Sequence, residues 1–243
     1  MTAAGAQEVL AGRNCLVTAA TGGIGSEVAR ALARRGCNVF LTSRTEDRLV
    51  ALGRELRAMS VGVAHLAADL ARPDAPARVA ATARDALGPV DVLVNVAGSF
   101  LVKPVVETTD DELDAMLALN VRAPFALARA VVPDMLAAGW GRIVNIGSSS
   151  AYAGFADTAA YCASKHALLG LSRALHAELR DGGIRTFSVS PGSVRTGMGR
   201  QVPGQCFDTF IEPRDVAEYV AFVIGFDGAM VSEEVRLNRM VTR

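Results

Sequence analysis

Apolar and polar positions along the chain alternate between two kinds of stretch. Residues 15–18, 38–42, 61–66, 92–94, 141–146 and 184–189 are short apolar runs, the pattern of strands covered on both faces. The longer stretches between them repeat their apolar residues every three to four positions. Ile24, Val28, Ala31 and Leu32 share one face of a helix that Gly36 ends. Residues 46–59 and 73–87 predict two more helices, and 109–138 a long helical stretch interrupted at Asn120 and Pro124. Ala167, Leu168, Leu171, Ala174, Leu175 and Leu179 form the stripe of a helix over 158–180. Residues 213–226 predict a last helix with Pro213 in its first turn, and 234–237 a closing strand. This alternation predicts an α/β fold, a doubly wound parallel sheet of about seven strands with helices on both faces. No repeat, linker or low-complexity tract breaks the pattern, so residues 1–243 are expected to form a single domain.

Composition narrows the function classes. Lys and Arg number 25 and Asp and Glu 25, which leaves no excess charge for a nucleic acid or an anionic membrane. Residues 1–12 show no signal-peptide pattern and no apolar run reads as long enough to span a bilayer, so the expected location is cytoplasmic. Cys15, Cys37, Cys162 and Cys206 are far apart and read as reduced thiols, mostly in packing. His65, His166 and His176 have no metal-ligand spacing, and no metal is expected.

Candidate chemistry collects between Gly147 and Lys165. Tyr161 and Lys165 are four apart, one turn along the same helix face, and Ser148 follows the apolar run at Ile146. A hydroxyl, a phenol and an ammonium around one small group suit a carbonyl or a carbinol. A phenol ionises near pH 10, and a neighbouring ammonium is expected to lower that value, so that Tyr161 exchanges a proton near neutrality while Ser148 bonds the same oxygen. The bland alternative is a half-buried aromatic beside a solvated charge. Composition weighs against it: only Lys103 and Lys165 are lysines, in a chain that otherwise writes arginine.

A second constellation opens the chain. A short strand is followed by Ala19-Ala20-Thr21-Gly22-Gly23-Ile24-Gly25 and then a helix. A glycine turn lets backbone approach a pyrophosphate, and the helix start directs free N–H groups at its charge. The second strand ends at Ser43-Arg44, without the acidic residue that would bind an adenosine ribose. Arg44 offers a charge-assisted fork for a 2′-phosphate instead, or is simply solvated.

Ser148, Tyr161 and Lys165 at these spacings resemble the catalytic set of the short-chain dehydrogenase/reductase family, and the resemblance extends over roughly residues 13–237. It implies Tyr161 as acid/base, Ser148 as the donor that orients the substrate oxygen, Lys165 as ribose ligand and pKa modulator, and Asn120 as holder of a relay water. It implies a nicotinamide cofactor along Thr18, Ala19, Thr21, Gly22, Gly23, Ile24 and Gly25. The family's first glycine is Ala19 here; if that position needs positive φ, alanine is mildly costly. Ser43 and Arg44 would follow, then Asp69 and Leu70 at the adenine. Asn95, Ala97 and Gly98 match the family's Asn-Asn-Ala-Gly, with Val96 at its second Asn. Pro191, Gly192, Val194 and Thr196 match Pro-Gly-x-Val-x-Thr beside the nicotinamide.

The resulting expectation is an NADP(H)-dependent oxidoreductase that interconverts a ketone or aldehyde with an alcohol. A 3-oxoacyl thioester is one candidate substrate. Carrier-dependent relatives carry basic residues before the fifth and sixth strands, where Gly139 and Gly182 stand here, with Arg142 and Arg180 near. Phe100, Phe155, Met198 and Phe207 suggest a partly apolar pocket, and Met198, Phe207 and Phe210 a lid over residues 197–212. The alternatives are a non-catalytic NADP-binding sensor or scaffold, or a nicotinamide-dependent isomerase. Family resemblance also implies a homo-oligomer, dimer or homotetramer, through the helices around 109–138 and 158–180.

Overall fold

The computed structural model describes residues 9–240, so most of the segment read for a signal peptide, residues 1–8, lies outside the described residues. Seven strands form one parallel sheet, β1 (Asn14–Thr18), β2 (Asn38–Ser43), β3 (Val63–Ala67), β4 (Val92–Asn95), β5 (Gly141–Ile146), β6 (Ile184–Pro191) and β7 (Glu234–Leu237), in the order β3-β2-β1-β4-β5-β6-β7. The chain winds outward from β1 to β3, then returns to place β4 on the other side of β1. That reversal opens a crevice above the C-terminal ends of β1 and β4, where open α/β sheets bind their ligands.

Alternation within the strands supplies two cores. Val17, Leu41, Val94 and Val144 face one side and pack with α1 (Gly23–Ala33), α2 (Glu46–Arg57) and α7 (Pro213–Gly225). Leu16, Phe40, Leu93 and Ile143 face the other and pack with α3 (Ala75–Leu87) and α5 (Ala123–Ala138). Strands β4 and β5 are buried throughout, which is why they read as unbroken apolar runs. The observed bounds differ from the expected ones at a few ends. β3 begins at Val63, α3 begins at Ala75, and β6 runs on through Pro191.

The long stretch before β5 has three parts. α4 (Asp110–Leu117) starts from a capping box between Thr109 and Glu112. A π-turn, Ala118–Arg122, follows and leads into α5. Pro124 has no N–H to give to the carbonyl four residues earlier, which belongs to Asn120, so the sequence itself loosens the helix there. Asp110–Ala138 is 29 residues long, with a stretch of mean hydropathy 1.4, and so is long and apolar enough to cross a membrane by length and composition. This corrects the expectation that no such run exists. Met116, Asn120, Leu127, Val131 and Met135 along it are buried within this domain.

At the opposite end of the sheet, Arg142 is 1% exposed, ion-paired with Asp227 and stacked 4.2 Å from the Trp140 ring. Burial lowers its pKa to about 10. A side chain so enclosed is withdrawn from any docking partner, whereas Arg180 is exposed.

Candidate active site

The C-terminal ends of the strands enclose a cleft of about 620 Å³. Its floor is built by short polar ties. Thr18, 0% exposed at the end of β1, accepts hydrogen bonds from the amides of Val96 and Ala97, both 2.9 Å. Thr18 therefore shapes the chain leaving β4 and does not line the cleft. Asn95 donates to Asn145 Oδ1 (2.8 Å), and Asn145 donates to Ser172 Oγ (2.9 Å), which joins β4 and β5 to α6 (Ala159–Leu179). Asn145 and Ser172 escaped sequence reading because each looks like an isolated polar residue in an apolar stretch.

The glycine turn forms one wall. Ala19 has φ +46°, the left-handed conformation its place in the turn requires. Gly25 cannot be replaced without movement: a Cβ there would stand 2.2 Å from the Ala19 carbonyl oxygen. A Cβ on Gly23 would stand 2.6 Å from Thr196 Cγ2. The first intrahelical amide is Ser26 N, bonded to Gly22 O at 2.9 Å, so the amides of Gly23, Ile24 and Gly25 precede the helical ladder. Thr21 Oγ1 donates to Ser43 Oγ (3.0 Å), which latches the turn to the end of β2. Arg44 is exposed just beyond, and Arg48, one turn into α2, lines the cleft. Arg48 was missed, although it lies four residues after Arg44 at the start of a helix. Asp69 is exposed and accepts from Ala71 N, and Leu70 is buried; neither lines the cleft.

The other wall carries the reactive groups. Ser148, Tyr161 and Lys165 all line the cleft and are 9%, 7% and 6% exposed. Ser148 Oγ accepts from Ser150 N (3.1 Å), which fixes the oxygen and leaves its hydrogen to donate. Lys165 Nζ donates to the Ile146 carbonyl at the end of β5 (3.0 Å). Phe100 meets the Tyr161 ring edge-on, 4.7 Å between centroids. Burial pushes the Tyr161 phenol above its ordinary value, and a hydrogen bond with Ser148 opposes the shift. Burial pulls Lys165 down to about 8. The direction for Tyr161 is thus the reverse of the expected lowering. Nζ bonds the Ile146 carbonyl and lies 5.8 Å from the phenol ring centroid, so desolvation outweighs the attraction.

Asn120 sits behind these groups, fully buried in the π-turn. Its side chain clamps Ser99, accepting from Ser99 N (2.8 Å) and donating to Ser99 O (3.1 Å), and also donates to Ser164 Oγ (3.0 Å). Both amide hydrogens are therefore engaged, so a water at Asn120 would have to donate, to a carbonyl oxygen of the residue. A Cβ on Gly98 would stand 3.2 Å from Asn120 Oδ1 and 3.6 Å from Lys165 Nζ.

Pro191, Gly192, Val194 and Thr196 leave the end of β6 along the cleft rim. The loop beyond is clamped at its base, where Val194 bridges Ile211 and Arg195 N donates to Ile211 O (2.8 Å). Met198 and Phe155 line the cleft with Phe100. Phe207 and Phe210 instead pack on each other, 5.3 Å between centroids, away from it. Among the described residues no cluster of metal ligands occurs.

A parallel sheet with a glycine turn at its switch point, and a serine, a tyrosine and a lysine around one buried pocket, define a nucleotide-dependent oxidoreductase. Residues 13–206 match the family model for short chain dehydrogenases, and the chain belongs to that family. It is 30% identical over 243 residues to D-beta-hydroxybutyrate dehydrogenase of Rhizobium meliloti, covering 90% of this chain and 94% of the relative. Among solved structures it resembles a metagenomic short-chain oxidoreductase in complex with NADP, with TM-score 0.85, 36% identity and coverage of 96% of this chain and 100% of that one. An alcohol dehydrogenase of the archaeon Thermococcus sibiricus, complexed with 5-hydroxy-NADP, gives TM-score 0.87 at 27% identity, covering 95% and 98%.

Proposed function

We propose that this chain reduces a ketone or aldehyde to the alcohol with NADPH, and runs the reverse with NADP. The observation that carries the reading is the buried set of Ser148, Tyr161 and Lys165 facing the same cleft as the glycine turn. The turn fits a dinucleotide: Gly23 and Gly25 stand where a Cβ would collide, and three amides at the start of α1 lack helical acceptors. When bound, the nicotinamide supplies or accepts the hydride.

Tyr161 gives its phenolic proton to the carbonyl oxygen in the reductive direction. Its raised pKa keeps it in the protonated form that this step needs. Ser148, its oxygen fixed by Ser150 N, donates to the same oxygen as charge develops there. With a pKa of about 8, Lys165 is mostly charged at neutral pH and holds a positive charge beneath the site. The Asn120 carbonyl, deprived of its helical donor by Pro124, is the acceptor for a water that links Lys165 to solvent. Gly98 keeps the space between Asn120 and Lys165 clear of a side chain.

Arg44, just past the end of β2, and Arg48, in the first turn of α2, favour NADPH through its 2′-phosphate. A homo-oligomer forms through the face where Leu117, Val121, Phe125 and Leu171 line a shallow hollow, with Phe125 47% exposed. The test of the activity is NADPH oxidation against a panel of aldehydes and ketones. Turnover that disappears in Tyr161→Phe supports it. Tight NADPH binding with no turnover of any carbonyl would instead mark a binding protein on the same fold.

A further inference from the structure

Charge is distributed unevenly in the cleft. Among the described residues that line it, only Arg48 and Lys165 carry a full charge. Arg48 belongs to α2, beyond the glycine turn, and Lys165 lies 6% exposed beneath Tyr161 with Nζ bonded to Ile146 O. The substrate half, outward from Ser148 and Tyr161, is walled by Phe100, Val102, Phe155, Met198 and Val202, with the neutral amide of Gln205 at its edge.

Cations do flank this half in sequence, and each is engaged elsewhere. Lys103, next to Val102, donates to both carboxylate oxygens of Glu112 at 2.9 Å. Arg195, next to Thr196, pairs with Glu212 at 2.8 Å. Arg200, next to Gly199, stacks on the Phe207 ring at 4.2 Å. Gln205 accepts from Ser193 Oγ at 2.7 Å, which turns its oxygen to the loop. Meanwhile the apolar side chains at the mouth are held open to solvent: Phe155 is 53% exposed, Met198 39% and Val102 36%. An anion entering here would lose its hydration without gaining a partner, whereas an apolar body would cover surface now facing water.

From this we infer that the substrate is an uncharged ketone with an apolar body, and that free keto acids are excluded. The inference rests on the oxidoreductase reading and narrows it. It also separates this chain from its hydroxybutyrate-oxidising relative, whose named substrate carries a carboxylate. Phe155 and Met198 act as specificity-determining residues at the mouth.

The test compares a medium-chain β-keto acid with its ethyl ester, two molecules with the same reacting carbonyl that differ in charge. With NADPH and the full chain, kcat/KM for the ester should exceed that for the acid by about 100-fold or more. Phe155→Ala should lower kcat/KM for the ester about tenfold through KM, with little change in kcat. Met198→Arg, an exposed position at the rim, should raise kcat/KM for the acid and lower it for the ester. Equal or better reduction of the free acid by the wild type overturns the inference and leaves the oxidoreductase reading standing. If neither compound is reduced, that reading fails at these substrates. Calorimetric binding of the β-hydroxy ester and β-hydroxy acid to the NADPH-loaded chain then decides the charge preference, with tighter binding of the acid overturning it.

Discussion

Lys165 makes a measurable demand on stability. Its ammonium is buried at the end of β5 and its pKa falls from 10.5 to about 8, through desolvation. A group whose pKa is lower in the folded chain contributes stability that is complete above its unfolded value and is lost as pH falls through its folded one. The folded chain should therefore gain stability between about pH 8 and 10.5 relative to a variant without the amine. The slope approaches 1.4 kcal/mol per pH unit, so the gain from pH 7 to 9.5 is about 2 kcal/mol. Lys165→Met keeps the length of the side chain and removes the titrating group. Urea unfolding of both proteins at several pH values in this window gives the difference directly, and every other ionisable group is common to both. The stability of the wild type relative to the variant should climb with pH by about that amount. A difference that stays flat from pH 7 to 9.5, or falls, refutes the assignment of a desolvated, buried ammonium. Saturating NADPH should shrink the climb if its ribose gives Lys165 the partner that the family resemblance implies, because the charged form would then be favoured.

The remaining predictions concern the two walls of the cleft. Tyr161→Phe keeps the edge contact with Phe100, so folding and NADPH affinity should survive while turnover falls by roughly 10²–10⁴-fold, as single-turnover kinetics would show. Gly25→Ala places a Cβ 2.2 Å from the Ala19 carbonyl oxygen; the turn must shift, and NADPH affinity read by fluorescence titration should drop about tenfold or more. Arg44→Asp should cost roughly 10² in NADPH affinity and spare NADH, and unchanged NADPH binding would move the 2′-phosphate contact to Arg48 alone.

Much of the fold could be read from the sequence because its strands are covered on both faces. Residues 92–94 and 141–146 could hardly be anything else in an α/β alternation, and both are strands buried throughout. The spacing of Tyr161 and Lys165 placed both on α6, where one turn of helix brings them to one cleft. What escaped was whatever depends on the third dimension alone. The tie from Asn95 through Asn145 to Ser172 joins residues far apart in the chain. Arg48 gains its meaning only when the fold brings it to the cleft that the glycine turn also lines. Phe207 and Met198 lie in the same loop, and nothing in their spacing says that one packs on Phe210 while the other faces the cleft. The direction of the Tyr161 shift was missed for a related reason, since a lysine one turn away was visible and the depth of burial was not.

The place of β1 inside the sheet, between β2 and β4, also bears on how the chain comes together during synthesis. Cys15 pairs with Val39 on one side and with Val92 on the other, so β1 stays half open until β4 has emerged. Until then β1 presents an apolar edge with no neighbour, the kind of surface that chaperones cover and that aggregates recruit. The reactive residues arrive later still, Ser148 just after β5 and Tyr161 and Lys165 on α6. A ribosome-bound chain halted after β4 should already shape the nucleotide-binding turn, whereas carbonyl chemistry must wait for α6.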